Sequence, residues 1–416
     1  MNGLSSSKPL LLSVKKSSLV DRLAKPLVMH LLKRLRHGRL VIRHGKDASV
    51  FGEEGGLCAQ ITVRDTAFYR QVLFGGSIGA GEAYVNHLWD VDDLTTLARI
   101  MVLNMDVLDD MERGFGRLLQ LVRFFGHLGR ANTRQGAKRN ILAHYDLGNN
   151  LYKAFLDPTM MYSSAIYPTA ASSLEEASRH KLEVICNKLQ LQKDDRVLEI
   201  GSGWGGFAIH AASNYGCHVT TTTISDAQYH EARERIAAAG LSDRITLLHS
   251  DYRDLSGTYD KLVSIEMIEA VGRNYLPTFF EKCCSLLRDN GTMLLQAITI
   301  RDYKYDQYKK TVDFIQRHIF PGGHVPSLTA MQNLLTQKTD LVVRSVDDFG
   351  LHYARTLEEW RLRFLKAFPQ LRQFGYDERF RRLWEYYLCY CEGGFRERSI
   401  SVVHLVATRP AHRPNW

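Results

Sequence analysis

Two stretches of the chain carry residue types that chemistry needs. The first is VLEIGSGWGG, in which an apolar run delivers Glu199 into the turn Gly201-Ser202-Gly203-Trp204-Gly205-Gly206. Glycines let a backbone bend sharply and let a ligand approach the main chain closely. The Lys-Ser/Thr ending of a P-loop is missing, and the full spacing of the dinucleotide fingerprint is missing too. The run TTTIS at 221–225, which ends the next strand, carries no acid. A nucleotide-like cofactor fits this turn better than a phosphate does. The second stretch is HYDLGNNLYKAFLDPTMMYSSAIYP, which sets His, Asp, Asn and Tyr around short apolar pieces ahead of the turn. Farther on, KLVSIEMIEAVG places the carboxylate of Glu269 after the apolar IEMI, with Glu266 as a competitor for its role.

The elements that must position these groups alternate. SLEEASRHKLEVICNKLQL is amphipathic, DRVLEIGS reads as a strand and GGFAIHAASNY as a helix. CHVTTTTI, RITLLHSD, KLVSIEM and GTMLLQAITI continue the strands, with helices at SDAQYHEARERIAAAG and LPTFFEKCCSLL. Such alternation predicts a parallel sheet with helices on both faces and a ligand beyond the carboxyl ends of the strands. Two helices near 356–367 and 377–391 follow, and ISVVHLVATR is expected to close the sheet antiparallel. Before the polar, basic linker GRANTRQGAKRN the pattern differs. SVFG, LCAQITV and AFYRQVLFG read as short strands, and a helix is expected to start at Asp93 or its neighbours.

A chain of 416 residues is too long for one ordinary core, so two domains are expected. The net charge of +9 favours an anionic partner, either nucleic acid or an acidic membrane surface. Much of that charge lies in the first 46 residues, where LVDRLAKPLVMHLLKRL predicts an amphipathic helix with a basic face. GFGRLLQLVRFFGHLGR at 114–130 is a second segment of this kind. The seven cysteines include no CxxC pair and read as reduced thiols of a cytoplasmic protein. No signal peptide is expected, and no run approaches eighteen apolar residues, so any membrane role is peripheral.

Glu199 followed by GxGxGG resembles motif I of the S-adenosylmethionine (SAM) methyltransferases. HYDLGNNLYKAFLDPTMMYSSAIYP resembles the segment that precedes this motif in cyclopropane fatty acid synthases and the related mycolic acid methyltransferases. TTTISDAQ, SIEMIEAVG, IFPGG at 319–323 and FGLHYARTLEEW at 349–360 resemble further signatures of that family, and GSIGAGEAYVNHLWDVDDL resembles its N-terminal domain. Together the motifs cover residues 48 to 408.

The resemblance implies an α/β fold: a Rossmann-like methyltransferase domain with a mostly parallel seven-stranded sheet, and a smaller N-terminal α+β domain. With the composition, it suggests a basic helical segment at 1–47, a lipid-associated domain at 48–128, a linker at 129–140 and a catalytic domain at 141–416. It implies that Tyr145, Tyr162 and Ser163 line SAM, with Glu199, Gly201, Gly203, Trp204, Gly205, Thr223, Gln228, Asp251 and Tyr252. It further implies a bicarbonate base, held by Ser164, Glu269, Gln296, Tyr353 and the backbone of Ile298. Ser164 and Gln296 stand where the family has Cys and His, and Ala270 replaces another His. Both Ser and Gln can still donate a hydrogen bond, but Gln296 can never carry charge.

The implied reaction is attack by a lipid cis-alkene on the SAM methyl, then proton loss and ring closure. Its partner would be unsaturated phospholipid at the inner membrane surface, with the enzyme cytoplasmic, peripherally attached and homodimeric, and no nucleic acid involved. A methyltransferase giving a methyl- or methylene-branched lipid, and a non-catalytic lipid-binding protein, are the competing readings. A nucleic-acid methyltransferase is a weaker one, because IEMIEAVG lacks the NPPY-type motif.

Overall fold

The computed structural model describes residues 18–107 and 147–413. Tyr145, the linker 129–140 and the segment 114–130 lie outside the described residues.

The N-terminal part is a four-stranded sheet ordered β2-β1-β3-β4. Its strands are β1 (Arg39–His44), β2 (Asp47–Gly52), β3 (Cys58–Val63) and β4 (Trp89–Val91). β1 pairs antiparallel with β2 and parallel with β3. β1 and the first residue of β2 fall within 39–47, so the end of the segment 1–47 expected as helical contributes to this sheet. The helix Leu19–Leu32 is nucleated by a capping box between Ser18 and Asp21 and buries Ala24, Val28 and Leu32. Asp93 caps the helix Leu94–Leu103, as expected.

AFYRQVLFG is not a strand. It opens the helix Ala67–Val85. Phe68, Tyr69, Val72 and Leu73 recur at three- and four-residue spacing, which puts them on one helical face, and all pack into the N-terminal core. This helix kinks at Gly76, whose backbone is non-helical (φ 56°, ψ −140°).

The second sheet has seven strands in the order β10-β11-β9-β8-β5-β6-β7. They are β5 (Arg196–Ile200), β6 (His218–Thr223), β7 (Ile245–His249), β8 (Tyr259–Ile265), β9 (Leu287–Ile300), β10 (Val342–Asp348) and β11 (Ile400–Thr408). β7 to β9 run parallel across β6, β5 and β8. β11 inserts antiparallel between β9 and β10, as its sequence suggested. From β5 the chain proceeds outward to β6 and later returns to β8 on the other side, so a switch point opens beyond β5.

One helix joins the two parts. Glu378–Arg396 packs on the helix Gly350–Leu371 and also on the N-terminal helices. Its buried Arg382 donates to the Tyr84 carbonyl (2.6 Å), the Trp89 carbonyl (2.7 Å) and Asp90 (2.9 Å). Gly393 sits so close to the helix Leu94–Leu103 that an added Cβ would stand 2.8 Å from the Ala98 Cβ. Among the described residues no disulfide is formed; Cys186, Cys217, Cys283, Cys284 and Cys389 are buried thiols. Among the described residues no helix is long and apolar enough to cross a membrane.

Candidate active site

Two cavities open beyond the carboxyl ends of the central strands. The smaller, of about 140 Å³, is lined by Tyr162, Ser163, Glu199, Gly201, Gly203, Trp204, Thr223, Gln228, Asp251 and Tyr252. Of the expected cofactor residues that the structure describes, all but Gly205 are therefore together. Gly205 stands just behind, in the left-handed region (φ 84°), as N-cap of the helix Gly206–Tyr215.

The polar segment and the glycine turn are locked to each other. Asn149, from HYDLGNN, accepts from the Trp204 indole at 3.0 Å, and Tyr152 packs on the same ring. Arg235, which the sequence did not flag, donates to the carbonyls of Thr159, Trp204 and Pro158 and staples the two segments. Gly206 permits this contact. A Cβ there would lie 2.6 Å from the Thr159 oxygen and 2.6 Å from the Met161 sulfur. Gly206→Ala is expected to force the segment off the turn, at a cost of about 1–3 kcal/mol. That should weaken SAM binding roughly tenfold or more, which calorimetry would read; unchanged affinity would remove the staple from cofactor binding.

Among the described residues, the one basic residue lining the smaller cavity, Arg253, is bound to Asp251, which suits a phosphate-free cofactor. Glu199 is buried and accepts from the Thr221 hydroxyl at 2.5 Å. Burial pushes its carboxyl up to about 8, opposed by that hydrogen bond and by Lys181. Asp251 is not a free carboxylate, because Arg253 holds it at 2.6 and 2.8 Å. Gln228 takes a bond from Thr223 at 2.8 Å.

The larger cavity, of about 440 Å³, lies within the usual range for a small-molecule site. Its walls come from both parts of the chain: Val28, Leu32, Leu40 and Ile42 on one side, Ile298, Leu357 and Phe395 on the other. Tyr162, Glu266 and Ala270 line both cavities, so the two meet there.

At the junction the expected anion-binding residues do come together, but around protein carboxylates. Glu266 Oε1 accepts from the Ser164 amide (2.8 Å) and from Gln296 Nε2 (2.7 Å), and Oε2 accepts from the Tyr353 hydroxyl (2.7 Å). The Ile298 amide donates to Glu269 at 2.5 Å. The Ser164 hydroxyl turns away to the Ala165 carbonyl. These donors are engaged by Glu266 and Glu269, so the residues present do not fit a bound bicarbonate.

Behind them stand groups the sequence reading missed. His404, paired with Gln296 across β11 and β9, approaches the Gln296 carbonyl oxygen at 2.9 Å, and Lys188 approaches its Nδ1 at 3.2 Å. Burial pushes His404 down to about 2, so it is neutral; with Lys188 donating to Nδ1, its one proton sits on Nε2. That bond turns the Gln296 amide nitrogen toward Glu266. Lys181 is fully buried and donates to the Ser163 hydroxyl at 2.7 Å. Its signal was present in the sequence. It lies with Ala177, Ser178, Leu182 and Ile185 on the buried face of the helix Leu174–Leu189.

Burial first, and then the charge of Glu266, push Glu269 from 4.5 up to about 8. Below 4.5 the folded and unfolded chains both hold this proton. Between 4.5 and about 8 only the folded chain keeps it, so stability falls as pH rises through that window. Glu269→Gln should flatten this loss, read as a smaller drop in Tm between about pH 5 and 8. An unchanged slope would assign the loss to other groups, Glu199 first.

The profile of the mycolic acid cyclopropane synthetase family matches residues 132–405. Cyclopropane-fatty-acyl-phospholipid synthase of Escherichia coli is 38% identical over 360 residues, covering 85% of this chain and 89% of that protein. Tuberculostearic acid methyltransferase UfaA1 of Mycobacterium tuberculosis is 38% identical over 346 residues, covering 82% and 80%. The structure of mycolic acid cyclopropane synthase CmaA1 with SAH and CTAB superposes with a TM-score of 0.61 at 28% identity, over 65% of this chain and 98% of that one. With the glycine turn, the two meeting cavities and this similarity in hand, the chain belongs to the mycolic acid cyclopropane synthetase family and is a SAM-dependent methyltransferase of the cyclopropane synthase type.

Proposed function

We propose that the protein transfers the methyl carbon of SAM to the cis double bond of an unsaturated acyl chain in a membrane phospholipid and closes a cyclopropane ring. The observation that carries this is the junction at Tyr162, Glu266 and Ala270, where an apolar cavity of about 440 Å³ meets the cofactor cavity. SAM supplies an electrophilic methyl on a sulfonium. The residues of the chain hold and orient the reactants. The apolar walls take the acyl chain and exclude water, which would otherwise quench a carbocation. Tyr162 presents an aromatic ring where positive charge passes between the cavities. It is fixed by Tyr387 (2.9 Å between hydroxyls) and by Trp360.

The membrane surface is part of this reading. Leu19, Leu23 and Leu27 repeat every four residues on the first helix and are exposed, with Arg22 and Lys33 also exposed nearby. The opposite face of that helix, at Val28 and Leu32, lines the large cavity. A helix that is greasy outside, basic, and continuous with the acyl cavity suits docking on an anionic bilayer, as a homodimer or a single copy.

A branched product is the second reading, favoured by the equal similarity to a relative named as a methyltransferase. Mass spectrometry separates them. Protein, methyl-labelled SAM and vesicles of monounsaturated anionic phospholipid are incubated, and the lipid is degraded chemically. A gain of CH2 with loss of the alkene supports the ring. The same gain with an alkene retained supports a methylene branch, and no labelled lipid would reject both.

A further inference from the structure

We propose that the Glu266 carboxylate is the proton acceptor that closes the ring, a built-in replacement for a bound anion. The inference rests on the reading of the reaction given above. The three donors around Glu266 are the Ser164 amide, Gln296 Nε2 and the Tyr353 hydroxyl, at 2.7–2.8 Å. By resemblance, the same three residues would hold a free bicarbonate. Here their bonds end on a side chain of the protein, and that side chain lines both cavities.

The backbone points the same way. Glu266 has φ +48°, in the left-handed region that a non-glycine residue enters only at a cost. The chain keeps a long acidic side chain where glycine would sit more comfortably. Burial raises the Glu266 carboxyl, and the three hydrogen bonds and the fully buried Lys181 act against that rise. Burial first, and Glu266's charge second, push the neighbouring Glu269 carboxyl up, and Glu269 accepts from the Ile298 amide where Glu266 has three donors. The three donors also occupy lone pairs of the carboxylate, which limits its attack on a cation as a nucleophile.

The step balances. The alkene electron pair forms a bond to the methyl carbon while the C–S bond breaks, and its pair stays on sulfur, releasing S-adenosylhomocysteine. The adjacent lipid carbon is left cationic. Glu266 takes a proton from the new methyl, and the C–H pair becomes the third ring bond. The resulting carboxylic acid then loses its proton to water, and no oxidant or reductant is needed.

The test compares wild type with Glu266→Gly and Glu266→Gln on unsaturated phospholipid vesicles, in buffer freed of carbon dioxide and then with bicarbonate or formate added. Glycine suits the positive φ, so that variant should fold, checked by urea unfolding, and because Glu266 lines the cofactor cavity its turnover is compared at saturating SAM, set by calorimetry. Wild-type turnover should not depend on bicarbonate. Glu266→Gly should lose about 10²–10⁴-fold in turnover, the usual worth of a positioned base. Added bicarbonate or formate should restore part of it by entering the vacated donors. Glu266→Gln should be as slow and not rescued, because its amide fills the space. Wild-type dependence on bicarbonate, or full turnover by Glu266→Gly without it, would overturn the proposal while leaving the reaction intact. Absence of any wild-type turnover on lipid would instead overturn the reading of the reaction, and the proposal with it.

Discussion

Replacing Lys181 by Met is expected to destabilise the protein by about 3–5 kcal/mol, the usual cost of stripping one partner from a buried charge cluster. Lys181 is the ammonium set among Glu266, Asp157 and Glu199, whose charges all act on it. Burial lowers it to about 8, and those acids hold it up, so it remains mostly charged at neutral pH. Met matches its length and apolar stem but leaves the carboxylates uncompensated and the Ser163 hydroxyl without its donor. Unfolding in urea would measure the loss. A second copy of the experiment in a Glu266→Gln background should recover a part of it, about 1–3 kcal/mol of coupling. Additive losses would show that Lys181 serves packing alone and does not balance Glu266.

The second large effect is expected for Tyr353→Phe. The ring keeps its packing on Phe395 and Trp360, and only the hydroxyl that donates to Glu266 is lost. Burial and the nearby Glu266 charge hold Tyr353 well above its ordinary value, so it is always a donor. Loss of a single preorganised donor to an anion costs about 10²–10³-fold in turnover, and two other donors remain here, so about 10²-fold is expected near neutral pH. The pH profile carries the diagnosis. Glu266 must be ionised to accept a proton, and its carboxyl is already raised by burial. Without Tyr353 it rises further, so the acid limb of kcat/KM should move to higher pH and the variant should regain rate in alkali. SAM affinity should hold, since Tyr353 does not line the cofactor cavity. An equal loss at every pH would argue for a structural role instead.

Local pattern was enough for much of this protein. Strand-turn-helix alternation predicted the parallel sheet, and each strand from β5 to β9 lies where a run of apolar or β-branched residues placed it. The glycine turn was legible because a backbone constraint is written in the residue type itself. AFYRQVLFG was misread because four apolar residues in a short run fit either period, and only packing against the N-terminal core selects the helix.

The chemistry at the junction was not legible in the same way. The resemblance named Ser164, Gln296, Tyr353 and Glu269, with Glu266 as a competitor for the role of Glu269; the structure instead turns the Ser164, Gln296 and Tyr353 donors to Glu266. Glu266 and Glu269 differ by three positions, and no one-dimensional rule says which will face Gln296. That depended on β8 ending beside β9, which puts Glu266 in reach of Gln296 while Glu269 turns to the Ile298 amide. His404 enters from β11, more than a hundred residues after Gln296, and Lys181 from a helix far upstream of both. Sequence alone indicated the parallel sheet and the glycine turn, because these follow from local spacing, and its resemblance to known motifs indicated the family, while neither singled out His404 or Lys181. The tertiary structure decided which carboxylate receives the three donors, because desolvation and hydrogen bonding act between residues that are neighbours only in space.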